Sequence, residues 1–135
     1  MLSRKTRYAM MSLVHLAREY DKGPTPISEI AEQEMIPQRF LEGILLHLKS
    51  IGVVNSVRGK QGGYFLIKKP SEVTLASVIT EFEGTMGMLA CVCSHSYKPC
   101  EFCKDETMCK IRRTFKYVHD STAAILNTTT LADLI

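Results

Sequence analysis

The apolar positions of this chain change their period along its length, and the changes divide it into elements. Ala9, Leu13, Leu16 and Tyr20 recur at helical spacing across a stretch without Pro or Gly, which predicts a helix from Ser3 to Tyr20. Ser3 can cap it and Gly23-Pro24 ends it. A short helix follows over Ile27 to Glu34, with Ile30 and Ala31 on its apolar side, and Met35-Ile36 makes a tight turn. Pro37 opens the next helix, since its missing N–H would have no partner in a first turn anyway. Phe40, Leu41, Ile44, Leu45 and Leu48 form the apolar face of that helix, and Gly52 stops it.

The period then becomes extended. Val53 to Val57 is a β-rich run, Arg58 to Gly63 a turn, and Tyr64 to Ile67 a second strand. Helix, turn, helix, hairpin is the order of a winged helix-turn-helix. After the break at Pro70-Ser71, Leu75, Val78, Ile79 and Phe82 mark an amphipathic helix from Thr74 to Glu83. Residues 84–108 show no period, and so long an irregular stretch is usually functional or disordered. A last helix runs from near Asp105 to about Leu126, with Ile111, Phe115, Val118, Thr122 and Ile125 as an apolar seam. The seam has heptad spacing, the pattern of a helix packed lengthwise on another. The predicted fold is mainly α (α+β): a winged helix-turn-helix domain over 1–83, a cysteine-rich loop over 84–109, and a dimerisation helix with a terminal turn over 105–135.

Composition narrows the class. The chain has 135 residues, 45% of them hydrophobic, which suits one ordinary globular domain with an added element. It shows no signal-peptide pattern and no apolar run long enough to span a bilayer, so a cytoplasmic protein is expected. The net charge is only +3, but it is unevenly spread. Arg4, Lys5, Arg7 and Arg18 stand in the first eighteen residues without an acid, and between Ile36 and Lys69 six Lys or Arg face only Glu42. That polarity suits a protein with one face against polyphosphate.

In a helix-turn-helix the second helix enters the major groove with its first residues on base edges. Here Gln38 can pair with adenine, Arg39 with guanine or phosphate, and Glu42 can accept from a cytosine amine. The wing, with Arg58 and Lys60, can enter a minor groove or hold phosphates, and its small glycines let the backbone approach closely. Arg4, Lys5 and Arg7 are candidate phosphate contacts. The expected partners are duplex DNA with a palindromic operator and a second copy of the chain.

Of the five cysteines, Cys91, Cys93, Cys100 and Cys103 fall in the irregular stretch and Cys109 directly follows it. In a cytosolic protein such a cluster points to metal binding or redox sensing rather than structural disulfides. Soft thiolates suit iron–sulfur clusters and zinc, and a metal-free thiol sensor remains open beside them. A thiol oxidoreductase built on Cys100-Glu-Phe-Cys103 is the competing enzyme class. That CxxC falls in a predicted loop, not at the helix N-terminus where redox enzymes activate a thiol.

Arg58-Gly-Lys-Gln-Gly-Gly-Tyr-Phe-Leu, preceded by Phe40-Leu-Glu-Gly-Ile-Leu and followed by Thr130-Leu-Ala-Asp-Leu, resembles the bacterial regulator family typified by the iron–sulfur cluster regulator IscR, with NsrR and CymR among its members. The resemblance covers essentially the whole chain. It implies a homodimer crossed through the C-terminal helix, a palindromic operator, control of transcription as a repressor or activator, and often a cluster in the loop. Glu42 matches the position that tunes operator choice, and Arg58 the wing arginine. Cys109 matches the last cluster ligand and Cys103 the middle one, while Cys93, Cys91 or Cys100 would supply the first. Some members place a histidine three residues after the last cysteine, where this chain has Arg112. Others use an acid from the first helix, where it has Arg7 and Tyr8. An all-cysteine set of Cys93, Cys100, Cys103 and Cys109 would complete the site within one chain, and His95 is open as an alternative. The resulting expectation is a [2Fe-2S] or [4Fe-4S] cluster, with zinc or no metal as alternatives, whose state sets the loop and so the spacing of two reading heads.

Overall fold

The computed structural model describes residues 1–93 and 96–135. Its elements are α1 (Arg4–Arg18), α2 (Ile27–Gln33), α3 (Gln38–Ser50), β1 (Val54–Val57), β2 (Gly63–Leu66), α4 (Leu75–Glu83) and α5 (Lys110–Thr128). Single 3-10 turns lie at Pro70–Glu72, Ala90–Val92, Glu106–Met108 and Leu131–Leu134. The α+β winged helix-turn-helix expected from the pattern is present.

Helix α1 starts where the Ser3 hydroxyl accepts the Thr6 N–H at 3.2 Å. It buries Ala9, Leu13 and Leu16, the face that the spacing marked. Helix α3 buries Leu41, Ile44, Leu45 and Leu48 against it. Phe40 instead stays at the edge of the core, meeting the Tyr8 ring edge-on with centroids 5.6 Å apart. Pro37 caps α3 from an extended conformation rather than forming its first turn. The two strands pair antiparallel, Val54 opposite Leu66 and Val57 opposite Gly63, and the inward pair Val54–Leu66 closes the core below α3.

Two boundaries differ from the sequence reading. Asp105 turns its carboxylate onto the Thr107 N–H and hydroxyl, which favours a 3-10 turn, so α5 begins only at Lys110. The terminal turn, grouped in sequence with the dimerisation helix, belongs to the winged domain. Leu131 is fully buried there, its N–H donating to the Val73 carbonyl at 3.0 Å, and Leu75 N–H donates to the Thr129 carbonyl at 2.9 Å.

Helix α4 is clasped at its C-terminal end. Glu83 accepts hydrogen bonds from the Thr6 hydroxyl at 2.5 Å and the Ser3 N–H at 2.7 Å. His47 Nε2 lies 2.8 Å from Glu81, with its ring against Phe82 at 4.8 Å. The hydrogen bonds from Thr6 and Ser3 hold the Glu83 carboxyl down from its usual 4.5 to about 2. A depressed carboxyl pKa contributes stability that is present above pH 4.5 and is lost as pH falls toward about 2. Glu83→Gln is therefore expected to lower the urea midpoint at pH 7 and to flatten its decline between pH 4.5 and 2.

Candidate nucleic-acid interface and cysteine cavity

The turn between α2 and α3 is held from several sides. Met35 takes a left-handed conformation (φ 53°), Ile36 is buried, and its N–H donates to the Ala31 carbonyl at 2.9 Å. The buried His15 of α1 meets the Glu34 carboxylate through Nδ1 at 2.8 Å, pinning the turn to α1. With the inner face of α3 fixed, Gln38, Arg39 and Glu42 project outward and are exposed. Arg39, Glu42, Arg58 and Lys60 form no ion pair among the described residues, so their charges remain available to an external partner.

Arg58 and Lys60 stand exposed on the turn joining β1 to β2. The close approach that the wing glycines allow is, at two of them, to the protein itself. A Cβ at Gly62 would collide with the Val57 carbonyl, and one at Gly63 with the Thr25 carbonyl. At Gly63 the contact lets Thr25 and Tyr64 exchange two backbone hydrogen bonds of 2.8 Å, tying the wing to the α1–α2 connection. At the start of α1, Arg4, Lys5 and Arg7 are exposed. Lys5 differs from the other two in placing its ammonium 5.6 Å from the Phe82 ring centre.

The five cysteines divide into two environments. Cys91, Cys100, Cys103 and Cys109 line one largely apolar cavity of about 500 Å³ at the start of α5. Cys93, the residue expected with the last three, is buried outside that cavity. Its sulfur contacts the Thr85 hydroxyl at 2.9 Å and the Leu89 carbonyl at 3.3 Å. Cys91 lies in the 3-10 turn Ala90–Val92 and Cys93 directly follows it, yet only Cys91 reaches the cavity, a difference that spacing along the chain does not reveal. No three His, Cys, Asp or Glu side chains among the described residues converge at ligating distance. His95 lies outside the described residues.

Loss of water contact, together with the neighbouring Cys109 and Cys100, holds the Cys103 thiol above its usual range. This is the reverse of the lowered thiol that a redox enzyme needs. It is the situation a soft cation relieves, because a bound metal neutralises crowded thiolates. The sulfur of Cys109 also caps α5, accepting the Arg112 N–H at 3.4 Å. Arg112 braces the loop: its Nε donates to the Cys91 carbonyl at 3.3 Å and lies 3.7 Å from Glu106.

Helix α5 has no buried residue along its 19 residues. Of the predicted seam, Phe115 is partly covered by its own chain and Thr122 is exposed. Ile111, Val118 and Ile125, seven residues apart, are 65%, 39% and 64% exposed. Among the described residues no helix is long and apolar enough to cross a membrane.

Comparison with known proteins places this geometry. The Rrf2 family, described as iron-dependent transcriptional regulators, matches residues 2–135. A putative rrf2-like HTH-type transcriptional regulator of Rhodobacter capsulatus is 38% identical, over 100% of this chain and 92% of its own. The HTH-type transcriptional regulator IscR of Serratia proteamaculans is 31% identical, over 99% of this chain and 78% of its own. The structure of CymR, the global cysteine regulator of B. subtilis, superposes with a TM-score of 0.83 at 28% identity, covering 99% of this chain and 95% of that one.

The packing around Cys93 carries its own prediction. A Cβ added at Gly87 would overlap the Cys93 sulfur and lie 3.4 Å from His119 Nδ1. Gly87→Ala is expected to displace this strand of the loop and add one fast-reacting thiol in titration with an aromatic disulfide under native conditions. An unchanged count would mean that the packing yields without exposing Cys93.

Proposed function

The chain belongs to the Rrf2 family of transcriptional regulators, and from that premise we propose that it binds a palindromic duplex operator as a homodimer and reports the state of its cysteine cavity to that operator. The observation that carries the DNA reading is the outward face of α3, where Gln38, Arg39 and Glu42 stand exposed beside a wing bearing Arg58 and Lys60. Arg39 and Glu42 address base edges, whereas Arg58, Lys60, Arg4 and Arg7 supply phosphate contacts. Lys5 contributes from its place over Phe82. The exposed heptad Ile111, Val118 and Ile125 supports pairing with the same helix of a second copy.

The donor set of the cavity suits an iron–sulfur cluster in chemical type, since four thiols line one apolar space. Cys100, Cys103 and Cys109 would hold the cluster with Cys91, which lines the same cavity, as the fourth ligand in place of Cys93. Closing the set requires the loop to draw in, because the sulfurs do not converge as they stand. When bound, a cluster supplies redox and small-molecule reactivity that thiols lack. The chain's own part is mechanical. Cys109 caps α5 and Arg112 ties its first turn to the Cys91 carbonyl, so a shift of the loop moves the dimerisation helix directly. In a dimer that helix sets the angle between two reading heads, and operator affinity depends on both being seated. Repression, the commoner output of a regulator that occupies its operator, is the direction we assign.

A second reading is a metal-free thiol switch. Likeness to CymR, the global cysteine regulator of B. subtilis, supports it, as does the adjacency of Cys100 and Cys103, whose N–H donates to the Cys100 carbonyl at 3.3 Å. Absorbance separates the two readings. Protein purified without oxygen is expected to show visible bands that are lost in Cys103→Ala and Cys109→Ala, retained in Cys93→Ala and weakened in Cys91→Ala. Colourless protein whose operator affinity still responds to thiol oxidation would favour the metal-free switch.

The DNA reading has a separate test, in fluorescence anisotropy against a duplex selected from a random library. Arg58→Ala is expected to reduce the slope of log affinity on log salt by about 1 per half-site. Arg39→Ala should lose specificity by about 1–3 kcal/mol, and Val118→Asp should abolish two-half-site binding. A wild-type protein with no salt-dependent affinity for any duplex would overturn the reading.

A further inference from the structure

The outward face of α3 contains a residue that the fold itself does not account for. Leu41, Ile44, Leu45 and Leu48 point to the core, and a helix turns about 100° per residue, so Arg39, Gly43 and Leu46 lie on the side farthest from it. Gly43 stands in the middle of this 13-residue helix, where glycine lowers helix stability relative to alanine. A glycine in such a place usually makes room for a packed neighbour or adopts a left-handed conformation. Neither applies here: a Cβ built on Gly43 meets nothing within 4 Å, and its φ is not positive. One helical turn further along the same face, Leu46 leaves an aliphatic side chain 59% exposed.

We propose that Gly43 is a specificity-determining position, the point where the backbone of α3 comes closest to the floor of the DNA major groove. This rests on the DNA reading given above and deepens it. Without a side chain at 43, the helix axis seats lower in the groove, and Arg39 and Leu46 reach base edges on either side of the gap. Arg39 offers a guanidinium to guanine or phosphate, while Leu46 offers methyl groups suited to the thymine methyl. The base pairs under Gly43 are then read by fit against the bare backbone rather than by a side-chain hydrogen bond. Charge supports a duplex as the occupant, since the exposed Arg39 of this helix and the exposed Arg58 and Lys60 of the wing outnumber its one acid, Glu42.

The test uses the opposite signs expected for stability and binding. The full-length protein and its Gly43→Ala variant are compared by thermal unfolding and by anisotropy. The two probes are a duplex selected from a random library by the wild-type protein and an unrelated duplex of equal length in the same salt. Gly43→Ala is expected to raise the unfolding midpoint by about 2–5 °C. It should weaken the selected duplex by about tenfold, the scale of one mismatched base pair, and leave the unrelated duplex unchanged. Replacing thymine by uracil in the selected duplex should weaken wild type but have little effect on Leu46→Ala. A Gly43→Ala protein that binds the selected duplex within twofold of wild type would overturn the proposal while leaving the DNA reading intact. Equal loss on both duplexes would also overturn it, showing a general rather than a sequence-reading role. A wild type that binds neither probe would sink the DNA reading itself.

Discussion

The burial of one face of α3 against α1 is the contact on which the rest of this molecule depends. Leu41, Ile44, Leu45 and Leu48 are almost wholly removed from water, each contributing about 1.5–3 kcal/mol relative to exposure. Exposed charge pairs are worth about 0–1 kcal/mol each. The apolar face therefore decides the rotation of α3 about its axis, and the polar face takes the direction left over. Gln38, Arg39 and Glu42 are presented outward because four aliphatic side chains point inward. The turn before α3 and the hairpin after it are fixed to the same core, through His15–Glu34 and Ile36 on one side and Val54–Leu66 on the other.

Helix α5 is built on the opposite principle. It buries no residue of its own, although short helices in water owe most of their stability to tertiary packing. Its C-terminal end is anchored because the following residues pair with the winged domain and send Leu131 into the core. Its N-terminal end rests on the cysteine loop through Cys109, Arg112 and Glu106. Between these ends α5 packs beside α4, and the heptad residues Ile111, Val118 and Ile125 stay exposed on it.

The two halves meet at the end of α4. Within a few residues, Glu81 and Phe82 engage His47 of α3, Phe82 also receives Lys5, and Glu83 receives Thr6 and Ser3. Thr85, two residues further along the chain, already touches Cys93. The segment from Glu81 to Thr85 thus joins α3, the basic start of α1 and the cysteine loop through direct contacts.

The sequence by itself determined the elements, their order and the face of α3 that turns outward. Period 3.6 and period 2 are consequences of backbone geometry, and the motif at the wing is specific enough to identify the family. The spacing along α5 marked Ile111, Val118 and Ile125, which are exposed, and Phe115, which its own chain partly covers. Three matters were decided only by the tertiary structure. Of Cys91 and Cys93 only Cys91 reaches the thiol-lined cavity, because sulfur positions in an irregular loop follow from local turns and not from spacing. The terminal turn joins the winged domain because Leu131 finds a buried site there, not beside the helix that precedes it. Gly62 and Gly63 of the wing serve contacts with the Val57 and Thr25 carbonyls, while a Cβ at Gly43 on α3 would meet nothing within 4 Å. A glycine is written identically in all these places, and only the surrounding atoms show whether its missing side chain is needed by the protein or left open to a partner.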